Sequence, residues 1–182
     1  MASFFGTLSV IVAAGAALVG AVAHLRSPGI LPDALYAHGL LPNRWIRAVA
    51  VGVSVVEAVL GLAAVVVLVV GSDAGRMTVF GVLTVLFAGY AGYLYRVIAT
   101  GRSVPCGCSR SDVPVDGWAV IRTASFAVAA ALAAALTPIA PLPVHVGPGA
   151  VVALAGATVL ILLWTLPSAM RQFDSGGLRW TS

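Results

Sequence analysis

Val51-Gly52-Val53-Ser54-Val55-Val56-Glu57-Ala58-Val59-Leu60-Gly61-Leu62-Ala63-Ala64-Val65-Val66-Val67-Leu68-Val69-Val70 carries a single charged side chain, Glu57. Extended back to Trp45, the run exceeds the ~20 apolar residues that a helix needs to cross the hydrocarbon of a bilayer. The rest of the chain has the same character. Apolar residues make up 60% of its 182 residues and charged residues 9%, with a mean hydropathy of +1.06. A soluble domain carries about 25% charged residues. The sequence therefore predicts an all-α polytopic membrane helix bundle in a lipid bilayer, with residues 45–70 as its second span.

Working outward, the N-terminal side holds a connector punctuated by Pro28, Pro32 and Pro42. Between its prolines, residues 34–41 suit a short interfacial helix. Before it lies an apolar run over 4–24, the first span. Ala21-Val22-Ala23 resembles a signal-peptide cleavage site, but Arg26 follows the run and no basic residue precedes it. That charge order predicts a retained helix. On the C-terminal side, the turn Gly71-Ser72-Asp73-Ala74-Gly75-Arg76 leads to a third span over 77–100. Ala88, Gly89 and Gly92 give that span a small-residue face, expected at a close helix contact. A polar loop over 101–117 precedes a fourth span over 118–136. Residues 137–149 contain four prolines and no formal charge, as an extended connector would. A fifth span over 150–166 is expected to stop at Pro167. There is no internal repeat, and the chain reads as one membrane domain.

Five spans place the chain ends on opposite sides. Arg26, Arg44, Arg47, Arg96, Arg102, Arg110, Arg122, Arg171 and Arg179 then fall on one side and Arg76 on the other. Arginine bias sets orientation in an inner (plasma) membrane, so the N-terminus is expected outside, with the 101–117 loop and the C-terminus cytoplasmic. The same bias accounts for the basic balance without nucleic acid.

The loop holds the only cysteines, Cys106 and Cys108, on either side of Gly107. Bridging residues so close requires Cα atoms within about 4.4–6.8 Å, hence a bend that Gly107 permits. The small ring would be strained and exchange-active, and Arg102 and Arg110 favour the thiolate. Three readings stay open: a redox-active pair, two soft thiolates on copper or zinc, and two inert small residues. His24 and His38 fall on the same side and read as interfacial residues rather than ligands. Glu57, about 18 Å along its helix from Trp45, must be protonated or paired inside the bundle. It is either a proton acceptor coupled to thiol or quinone chemistry or a hydrogen-bonded packing element. No catalytic triad, phosphate-cradling glycine loop or zinc-protease motif is present.

His24-Leu25-Arg26-Ser27-Pro28, Gly39-Leu40-Leu41-Pro42, Val56-Glu57-Ala58-Val59-Leu60-Gly61, Cys106-Gly107-Cys108 and Ile121-Arg122 occur in that order. The set resembles the MauE family (methylamine utilisation protein MauE), relatives of the DoxX-like membrane proteins, over residues 5–136. Two positions depart from the family pattern. Ser109-Arg110 stand where Phe-Gly usually follows the second cysteine, and His24 stands where Lys is common. The resemblance implies a four-helix core, here with a fifth span, and a part in maturing exported redox proteins. It also implies functional roles for Glu57, Cys106, Cys108 and Arg122. The combined expectation is a membrane thiol–disulfide oxidoreductase component with a thioredoxin-like or substrate protein partner and a quinone as candidate electron acceptor. The alternatives are a metal-binding or transport-associated protein and a non-catalytic assembly subunit.

Overall fold

Small side chains decide which helix becomes the axis of the bundle. Helix α1 (Ala2–Arg26) carries Ala13, Ala14, Gly15, Ala16, Ala17, Gly20 and Ala21 through its middle. Without bulky side chains, neighbouring backbones approach it closely from several directions. In the computed structural model, which describes residues 1–107, 114–136 and 146–176, 56% of its most apolar window is buried. Helix α3 (Asn43–Val70), rich in valine, is only 17% buried over the same measure. Its Val51, Val55, Val59, Leu62 and Val69 face outward as lipid-exposed positions would. The buried stripe of α3 is Ile46, Ala50, Glu57, Gly61 and Ala64.

The order continues with the short α2 (Ile30–His38) between α1 and α3, then α4 (Asp73–Ala99), α5 (Gly117–Leu136) and α6 (Val146–Gly176). Among the described residues, five helices are long and apolar enough to cross a membrane, all but α2. The protein is an all-α, multi-pass membrane bundle. α4 and α5 form its most extensive pair, and α1 packs on α3, α5 and α6. Val12, Phe80, Leu83, Phe87, Phe126 and Ala130 fill the centre.

Helix ends follow local chemistry. Ser72 accepts the Gly75 N–H at 3.1 Å to open α4, and Asp116 accepts that of Ala119 at 3.0 Å to open α5. Pro32 is no boundary; it sits in the first turn of α2, where its missing N–H has no intrahelical acceptor to lose. Gly39 closes α2 with φ +66°, the left-handed conformation a glycine adopts without strain.

Three expectations change. α6 runs through Pro167 to Gly176 instead of stopping. A proline is tolerated inside a membrane-spanning helix; it removes the hydrogen bond to the Leu163 carbonyl, while the flanking Thr165 and Ser168 hydroxyls donate to the Ile161 and Thr165 carbonyls at 2.9 and 2.7 Å. The helix also starts at Val146, inside the expected connector, whose residues 137–145 lie outside the described part. Finally, Ala88, Gly89 and Gly92 are exposed and nothing lies within 4 Å of a side chain built on either glycine. Close contact happens elsewhere, Gly15 and Gly156 on the α1–α6 seam and Gly61 on the α1–α3 seam.

Candidate functional site

The cysteine loop is held down on the bundle. Val115 N–H donates to the Val104 carbonyl at 2.8 Å, and Pro105 and Pro114 pair across the base of the loop. Val104 and Val115 are both buried with Leu94, Val97 and Ala119. Gly107 has φ +72°, and a Cβ there would stand 2.5 Å from Cβ of Ala34 in α2. The glycine between the cysteines is thus required twice, by its backbone conformation and by the close approach of α2.

His38 ties the loop to two helices. Its Nε2 lies 2.9 Å from the Pro105 carbonyl and its Nδ1 3.0 Å from the Tyr93 hydroxyl. A carbonyl only accepts, so Nε2 carries the proton, and Nδ1 then accepts from Tyr93. The ring is 2% exposed. Burial pushes its pKa below 6.5, and the Pro105 carbonyl pulls partly back. The expected interfacial histidine is a buried bracket instead.

Beneath the loop lies a cavity of about 320 Å³ into which every spanning helix sends at least one residue. Leucine, valine and aromatic side chains form most of its wall. The polar groups that reach it are His24, His38, Glu57, Tyr90, Tyr93, Cys106, Arg122 and Thr123. Glu57 is 5% exposed. Gly20 opens the notch it fills, since a Cβ there would come within 2.9 Å of Oε2. Tyr90 is a hydrogen-bond partner of the carboxyl. His24 Nε2 stands 3.4 Å from Oε2, at ion-pair distance without hydrogen-bond alignment, so Oε2 has no hydrogen-bond partner.

Arg122, 6% exposed, is buried inside the bundle. Its Nη2 points at Cys106 Sγ from 3.8 Å, its guanidinium carbon lies 5.7 Å from the centre of the Trp164 ring, and Nε is buried without a hydrogen-bond partner. A fixed positive charge beside sulfur favours the thiolate. The expected partners were Arg102 and Arg110. Arg102 instead extends its guanidinium toward Gly39, and Arg110 lies outside the described residues, as does Cys108. Cys106 itself is half-buried on the cavity wall, not on an exposed loop tip.

The structure therefore brings Glu57, Cys106 and Arg122 to one cavity. Sequence reading missed His24 beside Glu57, His38 as the loop bracket and Trp164 from α6. A signal for Glu57 was available: Ala50, Glu57, Gly61 and Ala64 recur at helical spacing as the interruptions in a valine face. Among the described residues, no group of three or more His, Cys, Asp or Glu is arranged to hold a metal ion.

Comparison with curated proteins and with solved structures yields no match. Residues 1–137 match the protein family described as methylamine utilisation protein MauE, a stretch that runs from α1 to the end of α5 and leaves out α6. With about three-quarters of its length in that match, the cysteine loop and the Glu57 helix included, the chain belongs to the MauE family.

Proposed function

We propose that this protein is a membrane thiol–disulfide redox component that assists maturation of a redox or exported partner protein. Cys106 and Cys108 would exchange as a pair with a thioredoxin-like or substrate protein. The observation that carries the reading is Arg122 Nη2 directed at Cys106 Sγ from 3.8 Å, inside a cavity and not in bulk water. There a fixed guanidinium is screened less than at a surface and holds a sulfur anion more firmly. Glu57, with His24 and Tyr90, supplies a proton-accepting group in the same cavity. His38 and Gly107 position the loop. In this reading α1, α3, α4 and α5 form the family's four-helix core and α6 is an addition that contributes Trp164. The arginine-rich end, with the cysteines, faces the cytoplasm.

The test is thiol alkylation with mass shift on protein equilibrated across glutathione potentials, beside metal analysis. A two-thiol step is expected at a potential above the roughly −300 mV of structural disulfides. A pair that stays reduced throughout while holding about one metal ion per chain would overturn the reading in favour of metal binding. Cysteine replacements without phenotype would leave an assembly role.

A further inference from the structure

The cavity combines features that one class of ligand satisfies together. Its walls include Phe87, Phe126 and Trp164, which suit a flat ring, and its volume of about 320 Å³ is at the low end for a small-molecule pocket. Two of its polar atoms are buried and lack hydrogen-bond partners: Arg122 Nε, a donor, and Glu57 Oε2, an acceptor when ionised. Buried polar atoms of this kind are costly unless something completes them. They belong to helices α5 and α3 and both line the cavity, so one molecule with an apolar body and polar atoms at two points would complete both. A fatty acid, polar at one end only, would complete one of them. Cys106 lies on the same wall.

We propose that the cavity binds the ring of a lipid-soluble quinone and that the quinone takes the electrons of the cysteine pair. The Arg122 N–H donates to a carbonyl of the oxidised ring, and the Glu57 carboxylate accepts from a hydroxyl of the reduced ring, so each redox state completes one of the two atoms. The transfer rests on the thiol–disulfide reading above. Cys106 gives its thiol proton to the Glu57 carboxylate and stands as the thiolate beside Arg122; the Cys108 S–H bond then breaks, one S–S bond forms, and two electrons pass to the quinone with two protons, one from Cys108 and one returned by Glu57. Both of its oxygens gain a proton, giving a quinol. Tyr90 and Glu57, adjoining in the cavity, are the groups placed to carry one of those protons.

The experiment uses the full chain in lipid nanodiscs with a decyl-substituted benzoquinone. Saturable quenching of tryptophan fluorescence reads binding, because Trp164 lines the site. Val53→Phe fills the cavity from a lining position, whereas Val85→Phe makes the same change at a side chain that is 73% exposed. Affinity is expected to fall at least about tenfold, or ~1.4 kcal/mol, for Val53→Phe and to stay unchanged for Val85→Phe. Dithiol protein should form one quinol per disulfide, and Cys106→Ser should lose quinol formation. No saturable quenching, or equal loss in both phenylalanine variants, overturns the site. Saturable binding without quinol, in protein whose thiols cycle against glutathione, overturns the electron transfer and leaves the thiol reading standing. Saturable binding in protein whose thiols do not cycle refutes the thiol reading and the transfer together, while the site stands.

Discussion

His38→Ala should release the cysteine loop without unfolding the bundle. The substitution removes the imidazole that joins the Pro105 carbonyl, 2.9 Å away, to the Tyr93 hydroxyl, 3.0 Å away. A buried polar group deprived of its partner costs about 1–3 kcal/mol. Two such groups lose theirs here, and the adjoining cavity lets water rehydrate them in part, so the lower half of the summed range applies, about 2–4 kcal/mol. At ~1.4 kcal/mol per tenfold change, loop opening should become about 30- to 700-fold more frequent. Hydrogen exchange at Val115, whose N–H bonds the Val104 carbonyl, reads that opening, and the alkylation rate of Cys106 reads it independently. Tyr93→Phe removes one bond and should raise opening about fivefold, for ~1 kcal/mol. In the double variant the effects should be less than additive, since both act through one ring. Exchange at Val115 within twofold of wild type in His38→Ala would refute the bracket.

The same ring gives a pH dependence. Its folded-state pKa lies below 6.5, so the unfolded loop binds the proton more readily, and docking is complete above pH 6.5 and weakens as pH falls beneath it; Cys106 accessibility that is flat from pH 7.5 to 5 would argue against this. Gly107→Ala must hold an alanine at φ +72° and place its Cβ 2.5 Å from Ala34, so a loss of at least about 1 kcal/mol in loop docking is expected, seen as faster exchange at Val115. Glu57→Gln should keep the fold while Glu57→Ala lowers stability by about 3 kcal/mol by leaving polar partners unsatisfied in a buried site; denaturation in detergent checks both, and full activity in Glu57→Ala would remove a role for this residue. On the sequence expectation that assigns nine of the ten arginines to the cysteine side, a membrane-impermeant thiol reagent should label Cys106 and Cys108 only after permeabilisation. Labelling in intact cells would place the loop outside, where disulfides of exported proteins form.

Composition and run length were enough to establish a multi-pass helical membrane protein, because hydrocarbon admits few ways to satisfy a backbone and each apolar run is locally sufficient to form a helix. The family was legible too, in short motifs around His24, Glu57, Cys106 and Arg122. What a linear reading could not supply was which side chains meet. Glu57 and His24 lie on separate helices, and they come together because Gly20 leaves a notch one turn before His24, which is a property of the α1–α3 seam. Arg122 replaced Arg102 beside the sulfur because the loop folds back over the bundle, so that proximity in sequence to Cys106 counted for less than position on α5. The small-residue face of α4 had the composition of a contact but faces outward, since α1, with more small residues on all sides, had already taken the centre. Helices are determined by local hydrogen bonding and hydrophobicity; the cavity exists only where several of them pack, and packing depends on shapes from segments far apart in the chain.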